Sequence, residues 1–324
     1  MESESCELCK QSERGFVKTL LVTGITGKSG GYFLRELANH KEGLVRQYKI
    51  RIALRSTSDV KDLEASGVQY ESFIGDLRDE EFLKVVTQSV DVILHIAGIS
   101  FSEKLARAAV GAKTKWIILV HTTGIYSKFK KAGTGYREIE QTIIKVTAET
   151  NTVTTILRPT MIYGSLDDHN ISVFIRFVDK LAILPIINGG HYDLQPVHAN
   201  DLGVAYYQVL STPITQGRQY VLSGGTKLSL RNLLSEIATN LGVQRKFLFV
   251  PFFVAFLGSW VVLLLSFGRV DLREKVQRLC ESRAYSHDDA TRDFSYCPMP
   301  FSQGIAEECD DFRNVPSAEK VKVV

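Results

Sequence analysis

The chain has 324 residues, of which 44% are hydrophobic and 23% are charged, and its formal net charge is +3. A chain of this length holds one large domain or two smaller ones, each with a buried core, and the composition is that of a globular protein. The small, dispersed positive charge excludes the basic surface that a nucleic-acid partner would require.

The cysteines and the chain ends indicate no special role. Five cysteines are present, and only Cys6 and Cys9 form a close pair, whereas a zinc ribbon needs two pairs. We predict reduced thiols, no metal site and a cytoplasmic protein. Residues 1–15 lack the apolar segment of a signal peptide, and we predict a disordered lead-in there and a disordered tail over residues 313–324.

From Val17 the sequence alternates short apolar runs with segments of helical spacing. This alternation predicts βαβ units and a parallel sheet, whose strands are apolar throughout because helices cover both faces. The predicted strands are residues 19–23, 50–54, 68–74, 92–96, 116–120 and 153–157.

A glycine-rich loop, TGITGKSG, joins the first predicted strand to a predicted helix over residues 30–38. In this context the first glycine permits the turn, the second lets the backbone approach a pyrophosphate, and the third lets the helix pack on the sheet. The helix N terminus adds free N–H groups. An ordinary βα turn is the alternative interpretation. The predicted dinucleotide site comprises Gly24, Thr26, Gly27, Lys28, Ser29 and Gly30.

The second predicted strand favours NADP over NAD. An acidic residue at the end of this strand would bind the ribose hydroxyls of NAD, but Arg55 stands there and no carboxylate occurs before Asp59. An arginine can pair with the 2′-phosphate of NADP. A solvated arginine at the strand end is the alternative, which leaves NAD open.

The rhythm changes after Pro159. Helices are predicted at residues 171–183, 199–210 and 228–241, with fewer and shorter strands between them. We therefore predict a dinucleotide-binding domain over residues 16–160 and a smaller C-terminal substrate lobe over residues 161–312. Some strands and helices of the lobe are expected to interleave with the first domain.

Residues 247–268, from Phe247 to Gly268, contain no charged residue, and the stretch is long enough for a transmembrane helix. Pro251 would start or kink a helix there, and Trp260 is central rather than at an edge. We weigh a buried helix of the second lobe against a contact with the membrane surface. A true span ranks last, because it would separate residues 271–312 from their own domain.

Several segments resemble, in order, one known superfamily. After the glycine loop come GDLRD, HIAG, LRPTMIYG, VHANDL and RDFSYCP. Their order and spacing are similar to those of the short-chain dehydrogenase/reductase superfamily in its extended, epimerase/dehydratase-like form, over about residues 17–306. Beyond the loop, the cofactor-binding residues that the resemblance implies are Asp76, Leu77, Ala97, Gly98, Arg158 and Pro159.

The resemblance also implies a fold and an activity. The fold would be a Rossmann-type doubly wound parallel sheet. The activity would be NAD(P)-dependent redox chemistry or epimerisation on a nucleotide sugar or related sugar conjugate. We expect a cytoplasmic protein and leave open whether it forms a homodimer. If residues 247–268 touch a membrane, the protein would be peripheral and a lipid-linked sugar would become a candidate substrate.

The superfamily carries Ser or Thr and then Tyr-x-x-x-Lys. The tyrosine exchanges a proton with the substrate, the lysine lowers the tyrosine pKa, and the hydroxyl residue polarises the reacting oxygen. Thr122 and Thr123, after the fifth predicted strand, match the hydroxyl residue.

Two tyrosines compete for the role of proton donor. Tyr126 and Lys130 match Tyr-x-x-x-Lys, but Tyr126 follows Thr123 by only three residues. Tyr136 follows it by thirteen residues and is favoured, with Tyr126 as the alternative. Glu140 stands where the lysine is expected, and a carboxylate one helical turn away would raise the pKa of Tyr136.

Another register, counted back from Arg158, puts Tyr136 at the lysine position and Ala132 at the tyrosine position, so both catalytic side chains would be missing. A catalytically reduced NADP-binding sensor or regulatory protein is therefore the second hypothesis, and a membrane-associated assembly factor is the third. Three lysines of the preceding loop could still reach the ribose: Lys128, Lys130 and Lys131.

Overall fold

The computed structural model describes residues 18–40, 42–129, 133–168 and 170–315. Cys6 and Cys9 of the predicted lead-in lie outside these residues. Thirteen strands are described: β1 Lys18–Thr23, β2 Tyr48–Leu54, β3 Tyr70–Ile74, β4 Val92–His95, β5 Trp116–Val120, β6 Val153–Pro159, β7 Ile162–Tyr163, β8 Ile183–Ile187, β9 Asp193–Leu194, β10 Val197–His198, β11 Gln219–Leu222, β12 Leu228–Ser229 and β13 Lys246–Val250.

Helices connect most of these strands. In chain order the described α-helices are α1 Lys28–Asn39, α2 Leu44–Gln47, α3 Lys61–Ala65, α4 Glu80–Thr87, α5 Ser102–Gly111, α6 Gly133–Ala148, α7 Ile171–Lys180, α8 Ala199–Ser211, α9 Leu230–Asn240, α10 Phe252–Leu265, α11 Arg273–Leu279, α12 Asp288–Phe294 and α13 Phe301–Asn314.

Seven strands form one parallel sheet in the order β11-β6-β5-β4-β1-β2-β3. The chain reverses its direction of winding between β1 and β4, where ligands of doubly wound sheets bind. Alternate residues of β1 enter different cores: Leu20 and Val22 pack toward α1 and α8, whereas Leu21 packs toward α4 and α5. The predicted Rossmann-type doubly wound fold is confirmed.

The later half of the chain builds a further core and also returns to the sheet. α7, α9, α13 and β8 share an apolar cluster that includes Ile175, Leu233 and Phe301. β11 pairs with β6 at the sheet edge, and α8 packs on α1. The elements are thus interleaved, and the domain boundary at residue 160 stays a prediction.

Several predicted elements differ from the structure at their ends. The strand expected at 68–74 begins at Tyr70, and the helix expected at 171–183 ends at Lys180, before β8. α13 continues to Asn314, which takes it two residues into the predicted tail. Local periodicity marks element type better than element boundaries, because the last turn is decided by tertiary packing.

The apolar stretch 247–268 is not a single helix. It contributes most of β13, and after Pro251 it forms the 14-residue helix α10. No helix in the described part of the chain is long and apolar enough to cross a membrane. The expectation of a buried core helix is wrong, because Ser259 is the only buried residue of α10.

Two buried histidines hold the loops at the carboxyl edge of the sheet. His95 is fully buried; its Nδ1 lies 2.7 Å from Thr23 Oγ1 and its Nε2 lies 3.0 Å from the Gly98 carbonyl. His198 accepts the Asn200 N–H at the start of α8 through Nδ1. Burial lowers the pKa of each ring to about 4.

These depressed pKa values predict a loss of stability in mild acid. As the pH falls below about 6.5, these histidines become protonated in the unfolded chain but stay neutral in the folded protein. Their contribution to the free energy of unfolding therefore falls until the pH nears 4. Between pH 7 and about pH 5.5 each ring should lower the free energy of unfolding by roughly 1.2 kcal/mol, while the raised pKa values of Asp201 and Glu308 act in the opposite direction. The contribution of one ring is therefore measured by urea denaturation as the difference between the parent and a variant that lacks the ring.

The variant His198→Asn keeps a helix N-cap acceptor and removes one titrating ring. It should reduce the change in unfolding free energy with pH by about the amount that one histidine ring contributes, whatever its effect on stability at neutral pH. His40→Asn is the control, because the His40 side chain is 54% exposed. Equal pH slopes for the parent and both variants would contradict the prediction.

Candidate functional site

The glycine loop lies at the switch point between β1 and β4. Gly24 has a φ of +78°, and an ideal Cβ there would lie 2.7 Å from the Ala97 nitrogen. The loop after β1 therefore passes directly against the loop after β4, which only glycine permits. α1 has Gly27 at its N-cap, without a side-chain cap or an acidic residue in the first turn. Its N terminus is thus suited to an anion.

A cleft of about 500 Å³ opens in front of this loop. Phe101, Asp168 and Asn170 also line it, and sequence reasoning missed them because their segments carry no recognisable spacing. Ile96, of the HIAG segment, lines it as well. The structure brings these predicted cofactor residues together around the cleft: Gly24, Thr26, Gly27, Lys28, Ser29, Arg55, Asp76, Leu77 and Ala97.

Two predicted loop residues have mainly a packing role. An ideal Cβ on Gly30 would lie 2.2 Å from the Gly24 carbonyl oxygen, so Gly30 allows α1 to approach the strand end. The Ser29 hydroxyl is buried and lies 3.2 Å from the Tyr206 hydroxyl on α8. These contacts fix the direction of α1 relative to the cleft.

The outer end of the cleft is positively charged. Arg55 is exposed there, and its backbone N–H donates to Ser58 Oγ. The Arg78 guanidinium donates two hydrogen bonds to the Asp76 carboxylate, from Nε to Oδ1 at 3.0 Å and from Nη2 to Oδ2 at 2.6 Å. The hydrogen bonds from Arg78 lower the pKa of Asp76 to about 2, and the charge of Arg55 adds to the effect.

A second pocket, of about 280 Å³, adjoins the cleft, because Ile162 and Asn170 line both. Thr122 and Thr123, the hydroxyl residues singled out in the sequence, form part of its wall. The Thr123 hydroxyl donates to the Pro159 carbonyl at 3.2 Å, and Thr122 Oγ1 accepts the Gly124 N–H at 3.0 Å.

Residues near the C-terminal end complete the second pocket, and none of them was predicted. Arg278, Arg283 and Tyr285 line it together with Gln195, whose Oε1 accepts the Tyr285 N–H. The Nε atoms of both arginines are buried without a hydrogen-bond partner among the described residues. Burial, and then the charge of Arg278, lowers the pKa of Arg283 to about 10. The pocket thus holds two cations whose Nε groups lack hydrogen-bond partners, although Arg278 also lies 4.0 Å from Glu274.

Behind the threonines lies a buried charged cluster centred on Glu140. Its carboxylate lies 2.9 Å from His121 Nδ1 and accepts hydrogen bonds from Arg158 at 3.0 and 2.5 Å. Burial opposes the ionisation of Glu140, but the bonds from His121 and Arg158 hold its pKa below the usual value. Arg158 also donates to Gln219 on β11.

This cluster changes two expectations about charge. Glu140 is paired with Arg158 inside the protein, so its charge is compensated. Arg158, expected at the cofactor, has its guanidinium bound inside the protein and does not line the described cleft. The adjacent Pro159 lines the second pocket.

Neither predicted tyrosine lines the second pocket as far as the structure describes it. Tyr126 is 46% exposed, and its ring centre lies 5.4 Å from that of Tyr285, which does line the pocket. Tyr136 is half-buried in α6. Lys128 is exposed, and its N–H donates to Glu281. Lys130 and Lys131 of the same loop, and Ala132 of the alternative register, lie outside the described residues.

The sequence model of the NmrA-like family matches residues 17–258 of this chain. The chain therefore belongs to the NmrA-like family, within the extended short-chain dehydrogenase/reductase superfamily that the motifs resembled. No curated protein sequence matches the chain.

Solved structures share the fold over nearly their whole length. UDP-glucuronic acid 4-epimerase from Bacillus cereus, in complex with UDP-glucuronic acid and NAD, has a TM-score of 0.68 at 15% identity, covering 91% of this chain and 99% of that one. The NADPH-dependent quinone oxidoreductase QOR2 from Escherichia coli scores 0.67 at 18% identity, with coverages of 91% and 100%. The triphenylmethane reductase of a Citrobacter species, complexed with NADP(H), scores 0.67 at 18% identity, with coverages of 90% and 99%.

Gly27→Val and Gly30→Ala should separate the binding role of the loop from its packing role. Gly27 has an extended φ of −81°, and the nearest atom to an added Cβ is the Gly24 oxygen at 3.2 Å. The valine variant should therefore fold and lose dinucleotide binding, because its side chain occupies the phosphate approach. Gly30→Ala should instead lower stability by about 1–3 kcal/mol, because the backbone must shift.

Thermal melts and calorimetric titrations with NADP and NAD measure the two effects. A folded Gly27→Val protein with the affinity of the parent would show that the loop does not bind the dinucleotide. A Gly30→Ala protein as stable as the parent would contradict the packing role.

Proposed function

We propose that this protein is an NADP-dependent oxidoreductase or epimerase that acts on a sugar conjugate bearing an anionic group, such as a nucleotide sugar. The proposal rests mainly on one observation: a pocket lined by two half-buried arginines, Arg278 and Arg283, directly adjoins the cleft in front of the glycine loop. A substrate held by its anion in this pocket would extend toward a dinucleotide in the cleft.

The cleft fits a dinucleotide by the chemistry of its residues. The uncapped N terminus of α1 and Lys28 suit a pyrophosphate, and Gly27 leaves space for it. At the outer end Arg55 suits a 2′-phosphate, while the Asp76 carboxylate is already bound by Arg78. These features favour NADP over NAD.

The second pocket fits a substrate with a phosphate or carboxylate. Two arginines with buried, unpartnered Nε atoms pay a desolvation cost that an anion would offset. Gln195 adds a neutral polar group, and its carboxamide nitrogen donates to the Gly224 carbonyl. The diphosphate of a nucleotide sugar has the charge and the paired oxygens that two guanidinium groups bind well.

A bound nicotinamide would supply hydride exchange with the reacting carbon. The hydroxyl of Thr122 lies at the pocket wall and would donate a hydrogen bond to the reacting oxygen. Tyr285 lines the pocket and would exchange the proton, although burial, and then the charge of Glu281, raises its pKa and so disfavours the tyrosinate. Tyr136 remains the alternative donor derived from the sequence, and Tyr126 the next.

A second candidate is a dinucleotide-binding sensor or regulatory protein without turnover. It is favoured by the absence of both predicted tyrosines from the described lining of the second pocket, and by the engagement of the Thr123 hydroxyl with Pro159. Both candidates require dinucleotide binding, so only turnover separates them.

Arg55→Asp tests the choice of cofactor. The change removes a phosphate partner and adds repulsion, so NADPH affinity should fall by about tenfold to a hundredfold while NADH affinity changes by less than about threefold. Calorimetric titration of both cofactors measures this. Arg46→Asp is the control, because Arg46 is an exposed arginine that pairs with Glu42 away from the cleft. Equal losses for NADPH and NADH would remove Arg55 from the site.

Tyr285→Phe and Tyr136→Phe identify the proton donor. The nicotinamide absorbance is followed with NADP and with UDP-glucose or UDP-glucuronic acid as substrate. Loss of the Tyr285 hydroxyl should lower kcat by about two to four orders of magnitude with little change in NADP affinity, and Tyr136→Phe should keep most of the activity. The reverse result would restore Tyr136 as the donor. Tight NADP binding by the parent without turnover of any sugar conjugate would support the sensor instead.

A further inference from the structure

An exposed apolar surface on the second lobe serves neither the cleft nor the second pocket. It comprises the outward side chains of β13, α10 and the turn that follows, and we refer to it as the apolar platform. The exposed fraction of its side chains ranges from 55% for Leu248 to 93% for Phe267. The side chains that define it are Leu248, Phe249, Phe253, Leu257, Leu264 and Phe267.

The platform is part of the protein surface and not of the hydrophobic core. α10 buries only Ser259, so its apolar residues are distributed around the helix and most of them face outward. Monomeric soluble proteins rarely expose a contiguous apolar area of this kind unless it contacts a membrane or another protein. The inner side is held by α11, where the Arg273 guanidinium lies 4.3 Å from the Trp260 ring centre.

The length of α10 determines how it could meet a bilayer. Its 14 residues span about 21 Å, which is shorter than the hydrocarbon core of about 30 Å. β13 and Pro251 precede it and pair with the rest of the lobe through β8, so the segment cannot be extended into a longer helix without losing that strand pair. The platform can therefore lie in the plane of a membrane surface but cannot cross the membrane.

The rim of the platform is positively charged. Lys246 and Arg269 are exposed at its two ends, and no charged residue lies between them. The two carboxylates that follow Arg269 in the chain are already in ion pairs with arginines: Asp271 lies 2.8 Å from Arg273, and Glu274 lies 4.0 Å from Arg278. An apolar face with a basic rim is complementary to a bilayer that contains anionic lipids.

A second copy of the chain fits the platform less well. A two-fold dimer brings the same patch of each subunit together. Across the platform this would bring the basic residues at the ends of one copy close to the basic residues of the other copy, without carboxylates to compensate them. An anionic lipid surface instead supplies apolar chains for the face and phosphates for the rim.

We propose that the apolar platform docks this protein on the surface of an anionic lipid bilayer. This docking is independent of the proposed redox function. If that function also holds, the substrate pocket would lie close to the membrane, because α11 packs on α10 and carries Arg278 into the pocket. A substrate borne by a lipid could then reach the pocket from the bilayer.

Flotation of the full-length protein with vesicles tests the docking. Vesicles of phosphatidylcholine alone are compared with vesicles that also contain phosphatidylglycerol. The parent should float with the anionic vesicles, and its partitioning should fall as salt is added. The triple variant Phe253→Ser, Leu257→Ser and Leu264→Ser should partition at least about tenfold less, because it loses three exposed apolar side chains.

Matched controls separate docking from general stickiness and from misfolding. The triple variant Ile74→Ser, Val85→Ser and Ile214→Ser removes apolar side chains that are 68%, 55% and 52% exposed in other parts of the molecule, and it should float like the parent. Replacing Lys246 and Arg269 by glutamine should weaken binding by roughly fivefold for each charge. Melting curves and NADP titration show that each variant is folded.

Three results would overturn the proposal. The first is a parent that stays unbound with anionic vesicles, and the second is a control variant that loses as much binding as the platform variant. The third is a parent that is dimeric without lipid and becomes monomeric in the platform variant, since a second copy would then be the occupant. Loss of sugar turnover with docking intact would contradict only the proposed function.

Discussion

The close approach of two backbones at the edge of the sheet is the constraint on which the site depends. The loop after β1 passes the loop after β4 so closely that Gly24 has no room for a Cβ beside Ala97. His95, in register with Thr23 on the neighbouring strand, bonds to that threonine and to Gly98. A neutral ring thus joins the two loops from inside, and the N terminus of α1 is directed into the cleft.

A buried charged cluster fixes the position of residues in the wall of the second pocket. Glu140 on α6 links His121, at the end of β5, to Arg158 on β6. Such a cluster is costly to desolvate, and its value lies in geometry, because each partner satisfies the others in only one arrangement. Thr122 and Pro159 follow its members directly in the chain, so the cluster sets the wall of the pocket beside the cleft.

The C-terminal part of the chain supplies the charge of the pocket and a hydrophobic exterior. Arg278 and Arg283 line the pocket. The helix α10, which precedes them in the chain, exposes most of its apolar side chains at the surface. The two features are joined by α11, which packs on α10. Recognition of an anion and contact with a lipid surface would therefore be carried by adjacent elements of one lobe.

The sequence by itself determined what depends on local spacing: strand and helix order, the parallel sheet, and the place of a glycine loop between the first strand and the first helix. The tertiary structure decided which side chains meet across long separations. Sequence neighbours could not show that Glu140 would be neutralised by Arg158, that Tyr285 rather than Tyr136 would line the pocket, or that α10 would face outward. Burial and pairing arise only when distant segments pack, and no periodicity within a segment encodes them.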